Sequence, residues 1–178
     1  ALRDKNQNHS LRLVHALQSL KDVYPSINVL VCPWSGIASC HEDIPVSGIT
    51  RLDQYGCGTR MHSSFESIYE SPQYKQAVQR GDAIVGIMVT DGETDKQDRD
   101  QCRCLMVQNQ ARSEEWCCVV IDQWNARLNN GQGGYGTAKL EEVFGESKTF
   151  GFYSVPDSIS MISKAIQKAI TKAESRRK

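Results

Sequence analysis

The sequence predicts a three-layer α/β fold, doubly wound around a mostly parallel sheet, and three observations carry that prediction. Short apolar runs, INVLVCPW (27–34), AIVGIMVT (83–90), WCCVVID (116–122) and TFGFYSV (149–155), alternate with stretches whose apolar residues fall at helical spacing. The run 83–90 is apolar apart from Gly86 and its closing Thr90, as suits a parallel strand covered on both faces. No repeat, linker or low-complexity segment divides the 178 residues, so one domain is expected, with a polar segment at 1–9 and a basic tail at 172–178.

The elements follow in order. Ser10 can cap a helix whose Leu13, Leu17, Leu20 and Tyr24 share a face and which stops at Pro25. The strand 27–34 ends in the loop SGIASCHED, and Pro45 demotes IPVSGI (44–49) to an edge strand or loop. After the glycine-rich QYGCGT (54–59), Met61, Phe65, Ile68 and Tyr69 mark a second helix, which leads to the strand 83–90. Residues 98–113 are polar, with Cys102, Leu105, Met106 and Asn109 as a narrow inner stripe of a helix. The strand 116–122, a glycine-rich loop at 129–136, the short helix TAKLEEVF (137–144) and the strand 149–155 come next. Pro156 and Asp157 start the last helix, with Ile159, Ile162, Ile166, Ala169 and Ile170 turned to a core. The arrangement is of Rossmann type.

Charge and composition exclude some function classes. Twenty-one basic and 21 acidic side chains leave no overall field to recruit nucleic acid or an anionic membrane. No apolar run approaches the roughly 18 residues of a membrane span, and the polar start ALRDKNQNHS does not read as a signal peptide. Seven cysteines form an odd set without CxxC spacing, which points to thiols in a reducing, cytoplasmic compartment rather than to disulfides or a zinc site.

The chemistry concentrates where the strand 83–90 runs into Asp91, Glu93 and Asp95. In open parallel sheets ligands sit outside the carboxyl ends of the strands, where strand order reverses, and Asp91 lies at such an end. Gly92 allows a sharp exit, and the QYGCGT loop is expected on the same rim. The competing structural reading is that Asp91 or Thr94 caps the next helix.

GCGTRMHSSFESIYE followed by IVGIMVTDGETD resembles the von Willebrand factor A family, in which a glycine-rich loop carries a metal-ligand threonine and a later strand ends in Thr-Asp-Gly. The order of the remaining elements agrees from about residue 10 to 170. The resemblance implies a non-catalytic domain that binds a protein partner through a divalent cation, Mg2+ or else Mn2+ or Ca2+, at a metal-ion-dependent adhesion site. It assigns Thr59 and Asp91 as metal ligands, with Glu93 and Asp95 as acids around them or, equally, as helix N-terminal charges favourable to the dipole. These are hard oxygen donors suited to such ions, and an open coordination position would take an acidic side chain of the partner.

One departure stands out. The family's Asp-x-Ser-x-Ser motif, at the end of its central first strand, has no counterpart before the first helix here, and Asp157-Ser158-Ile159-Ser160 has the wrong spacing and reads as an N-cap. A central strand left out would strand two rows of backbone hydrogen-bonding groups, each costing about 1–3 kcal/mol. The metal is therefore expected only with that motif, from an upstream segment of the natural polypeptide or from another chain.

Three alternatives remain open from the residues. GQGGYG (131–136) matches the dinucleotide fingerprint, but about ten residues separate it from the preceding strand, which favours a surface loop. A Mg-dependent phosphoryl-transfer or hydrolytic enzyme would use Asp91, Glu93 and Asp95, with Arg60, His62 and Lys96 as the nearest further groups, and these form no motif. A metal-independent scaffold within a larger complex would present Trp34, Ser35 and His41 as a contact rim.

Overall fold

The computed structural model describes residues 26–32, 34, 38, 41–42, 60–90, 92–120, 135–145, 148–151 and 155–175. Its contacts divide the chain into two compact units, residues 1–71 and 72–178. The first expected helix (10–24), the run 44–49 and most of the loop 129–136 lie outside the described residues.

In the first unit the run 27–34 contributes two ladder residues. Strand β1 (Leu30–Val31) pairs antiparallel with β2 (His41–Glu42), Leu30 opposite Glu42 and Val31 opposite His41. The partner thus comes from within the expected loop SGIASCHED, and Trp34 makes an isolated antiparallel bridge to Ala38. The intervening Pro33 has no N–H to offer a ladder, so a longer strand through this run is disfavoured by its own sequence. Helix α1 (Met61–Glu70) buries Met61, Phe65 and Tyr69, a stripe at four-residue intervals, as the spacing predicts. Phe65 and Tyr69 stack at a centroid distance of 6.1 Å, tilted by 38°. The Cys32 thiol donates to the Ser64 carbonyl at 3.9 Å, tying the β1 segment to this helix.

Helix α1 ends at Ser71, which is extended (φ −62°, ψ 139°) because Pro72 follows it, and Pro72 opens α2 (Pro72–Arg80). The sequence reading did not separate these two helices.

The second unit is built on three parallel strands in the order β3-β4-β5. Strand β3 (Ile84–Thr90) pairs along its whole length with β4 (Glu114–Val120), from Ile84 opposite Glu114 to Thr90 opposite Val120. Strand β5 (Thr149–Gly151) continues the sheet beside Cys118–Val120. The connections run through α3 (Lys96–Asn109) and α4 (Tyr135–Phe144), and α5 (Val155–Glu174) closes the chain. The chain is therefore a mixed α/β protein with a small parallel sheet. Trp116 meets Phe144 of α4 at 6.3 Å, and the adjacent Glu115 reaches Lys172 of α5. Successive strand side chains point to opposite faces, so α4 and α5 cover opposite faces of β4.

Every residue of β4 is buried. It begins two residues earlier than its apolar run, because two glutamates are part of it. Glu114 is 1% exposed, and its carboxylate accepts hydrogen bonds from Tyr74 Oη (2.5 Å), the Ala111 amide (2.9 Å) and the Trp116 indole N–H. Burial, together with the Glu114 hydrogen bond and charge, pushes the Tyr74 phenol well above its ordinary value, so it stays a donor. On the opposite face Glu115, 4% exposed, pairs with Lys148 at 3.0 Å and with Lys172. Burial alone would raise the Glu115 carboxyl, but hydrogen bonds from Lys172 and Lys148, with their charges, bring it below its ordinary value. Lys172, the first residue of the expected basic tail at 172–178, is thus in the last turn of α5 and pairs that helix with Glu115 of the sheet.

Gly86 lies opposite Trp116, and a Cβ built on it would fall 2.2 Å from the indole ring. The glycine in the apolar run is a seat for tryptophan. Burial raises the Cys117 thiol to about 11, against the opposing pull of Lys148, and raises Cys118 as well. Both are core thiols held protonated at neutral pH.

Candidate functional site

The three strands of the second unit are parallel, so their carboxyl ends share one rim. The geometry there is described from Gly92 onward; Asp91, like Thr59 and the whole QYGCGT loop, lies outside the described residues. The loop that leaves β3 is short and internally bonded. Thr90 is buried, and its hydroxyl accepts the Gly92 amide at 3.2 Å. Gly92 takes φ +84°, the left-handed region that a side chain resists, so the sharp exit expected of this glycine is present.

The acids after it take different parts. Glu93 is exposed. Asp95, rather than Asp91 or Thr94, is the N-cap of α3: it is extended (φ −86°, ψ 171°), and its carboxylate accepts the Asp98 amide at 2.7 Å. Thr94 donates its hydroxyl to the Asp98 carboxylate at 2.8 Å, so the two side chains close the first turn between them. Asp95 and Asp98 also place negative charge at the positive end of the helix. One of the three carboxylates after β3 is thereby committed to starting a helix.

The inner face of α3 departs from the predicted apolar stripe. Cys102 is buried, Leu105 and Met106 are half-buried and Asn109 is exposed, while Asp98 and Arg99 are buried. Arg99 donates from Nη1 to the Thr94 carbonyl at 3.1 Å and from Nε to Glu142 of α4 at 3.1 Å. A charged residue at an inner helical position gives no hydropathy signal, and its partner lies 43 positions away. An arginine one turn into a capped helix was the sole clue.

The groups weighed for catalysis fall in both units, Arg60 and His62 in the first and Lys96 in the second. Arg60 precedes α1 and is exposed, His62 is half-buried on α1, and Lys96 is exposed at the start of α3. Of the expected contact rim, Trp34 is half-buried, and Ser35 lies outside the described residues. A shallow surface depression has Lys96, Gln97, Asp100, Gln101 and Cys104 of α3 among its described lining residues. Among the described residues, which do not include Thr59 or Asp91, no group of three or more histidine, cysteine or acidic side chains could hold a metal ion. No described helix is long and apolar enough to cross a membrane. Neither a protein-family model nor a curated protein matches the chain.

Proposed function

We propose that this chain is a von Willebrand A-like domain of Rossmann type, whose work is non-catalytic recognition of a protein partner through a divalent cation. Thr59 and Asp91 are the proposed ligands, and Mg2+, or Mn2+ or Ca2+ in its place, is the proposed ion. The observation that supports this reading most is the exit of β3. A strand of a parallel sheet ends in a threonine whose hydroxyl receives the Gly92 amide, and the chain turns through a left-handed glycine into a capped helix. That turn brings Thr90 and Gly92, the sequence neighbours of Asp91, to a carboxyl-end rim. The capping role of Asp95 narrows the acids left for an ion to Asp91 and Glu93.

The reading keeps its structural condition. Two protein oxygens are too few to hold Mg2+ tightly, so an Asp-x-Ser-x-Ser segment, from an upstream part of the natural polypeptide or from another chain, completes the shell. The half-buried β3, which pairs with β4 alone among the described strands, is a suitable neighbour for the strand that would carry it. Capture of partners by the natural polypeptide, with and without EDTA, tests the proposal. Thr59→Ala and Asp91→Ala are each expected to abolish the EDTA-sensitive capture. Capture that ignores EDTA and both substitutions would favour a metal-independent scaffold, and Mg-dependent phosphatase or nuclease activity lost in Asp91→Ala would favour an enzyme.

A further inference from the structure

We infer that Arg99 is a brace between α4 and the loop that leaves β3, so that Glu142, at the surface, sets how firmly residues 92–95 are held. The Arg99 side chain is 10% exposed and that of Glu142 57% exposed. One edge of the guanidinium holds the loop through the Thr94 carbonyl, and the other holds α4 through Glu142. A buried guanidinium needs both its charge and its donors satisfied, and the planar fork fixes the direction in which each is met. Losing Glu142 therefore leaves Arg99 free to swing toward water, and the Thr94 carbonyl loses its donor. The Thr94 hydroxyl and the Asp95 carboxylate bond Asp98 separately, so the guanidinium adds one further tie to the loop, at the Thr94 carbonyl. Lysine cannot replace it, since one ammonium on a flexible stem does not span two fixed partners on opposite sides.

The functional consequence rests on reading this rim as the recognition site: a contact made on the α4 surface at Glu142 would alter the loop that leaves β3. Amide hydrogen exchange of the intact chain, without metal or partner, tests the brace itself. Glu142→Ala, a change at an exposed position, is expected to speed exchange across 92–95 about tenfold, the equivalent of one net charge-assisted hydrogen bond, while β4 keeps its protection. Arg99→Gln and Arg99→Lys should each loosen the same segment, and Glu142→Ala added to Arg99→Gln should change it no further. Unchanged exchange at 92–95 in Glu142→Ala, additive effects in the double variant, or an increase spread equally over β4 would each overturn the brace. Failure here leaves metal-dependent recognition standing, and failure of metal binding leaves the brace standing, because the two experiments share no ligand.

Discussion

Strands β3 and β4 lie side by side in register for seven residues, and both are built from apolar runs. All of β4 is buried, whereas β3 is buried only at Met88 and Thr90 and half-buried elsewhere. The difference lies in their neighbours. β4 is paired on both edges, and α4 and α5 cover its two faces, whereas β3 is paired with β4 alone among the described strands. Apolarity alone thus does not tell how deeply a strand is buried. Strand β4 tolerates Glu114 and Glu115 at its start because each carboxylate is met by named donors, and β3 carries no charge yet is less enclosed. An apolar strand with no lysine, proline or charge along it, paired on one edge alone among the described strands, is one that natural proteins normally cover.

Substitutions can break or sharpen that contrast. The largest effect is expected at the centre of β4, where Trp116→Ala should cost about 3–5 kcal/mol in chemical denaturation, through lost burial and the cavity left against Phe144. Its counterpart on β3, Gly86→Ala, fills the seat of the indole and should cost about 1–3 kcal/mol by overpacking, with a changed Trp116 emission. A neutral Gly86→Ala would mean that the two strands do not pack through this pair.

Matched truncations come next. Val119→Ala, at a side chain 2% exposed, should cost about 2–3 kcal/mol, and Val89→Ala on half-buried β3 about 1 kcal/mol. Equal costs would show that β3 is as enclosed as β4, and a Val89 cost that rises when a partner is bound would show what covers it.

The smallest effect concerns acid. The Glu115 carboxyl is depressed in the folded chain, so its contribution to stability is complete above its unfolded value, about 4.3, and is lost as pH falls through the lower folded value. Glu115→Gln should therefore lower stability at pH 7 by about 1 kcal/mol, a modest figure because both lysine ends reach water, and should flatten the acid limb below about pH 4. Denaturation followed from pH 7 to pH 2 checks this. An unchanged acid limb would show that Lys148 and Lys172 do not hold Glu115 in solution.

The same pair of strands shows what hydropathy reveals and what it hides. Strand β3 was legible to within one residue, because its run is bounded by polar residues and lies between helices. Strand β4 was read two residues late: Glu114 and Glu115 look like loop, and the groups that make them strand residues, Tyr74, Lys148 and Lys172, lie far off in sequence. In α3 the helix was legible but its inner face was not, since Asp98 and Arg99 are buried by polar bonds that no apolar spacing encodes. Of the site itself, the glycine exit was read correctly from Thr-Asp-Gly. The cap was expected at Asp91 or Thr94, whereas the structure gives it to Asp95, which suits the role equally by type and whose carboxylate accepts the Asp98 amide. The run 27–34 overstated its strand: of its described residues only Leu30 and Val31 form the β1 ladder, and apolarity alone does not register where pairing starts and stops.

The central claim is that the rim at the end of β3 recognises a partner through a divalent cation held by Asp91 and Thr59. Its most direct test is a Mn2+ titration of the natural polypeptide followed by electron paramagnetic resonance, comparing the unaltered chain with Asp91→Ala and Thr59→Ala. The account predicts one bound ion, displaced by Mg2+ and lost in both variants. No bound ion, or one that both variants retain, would contradict it.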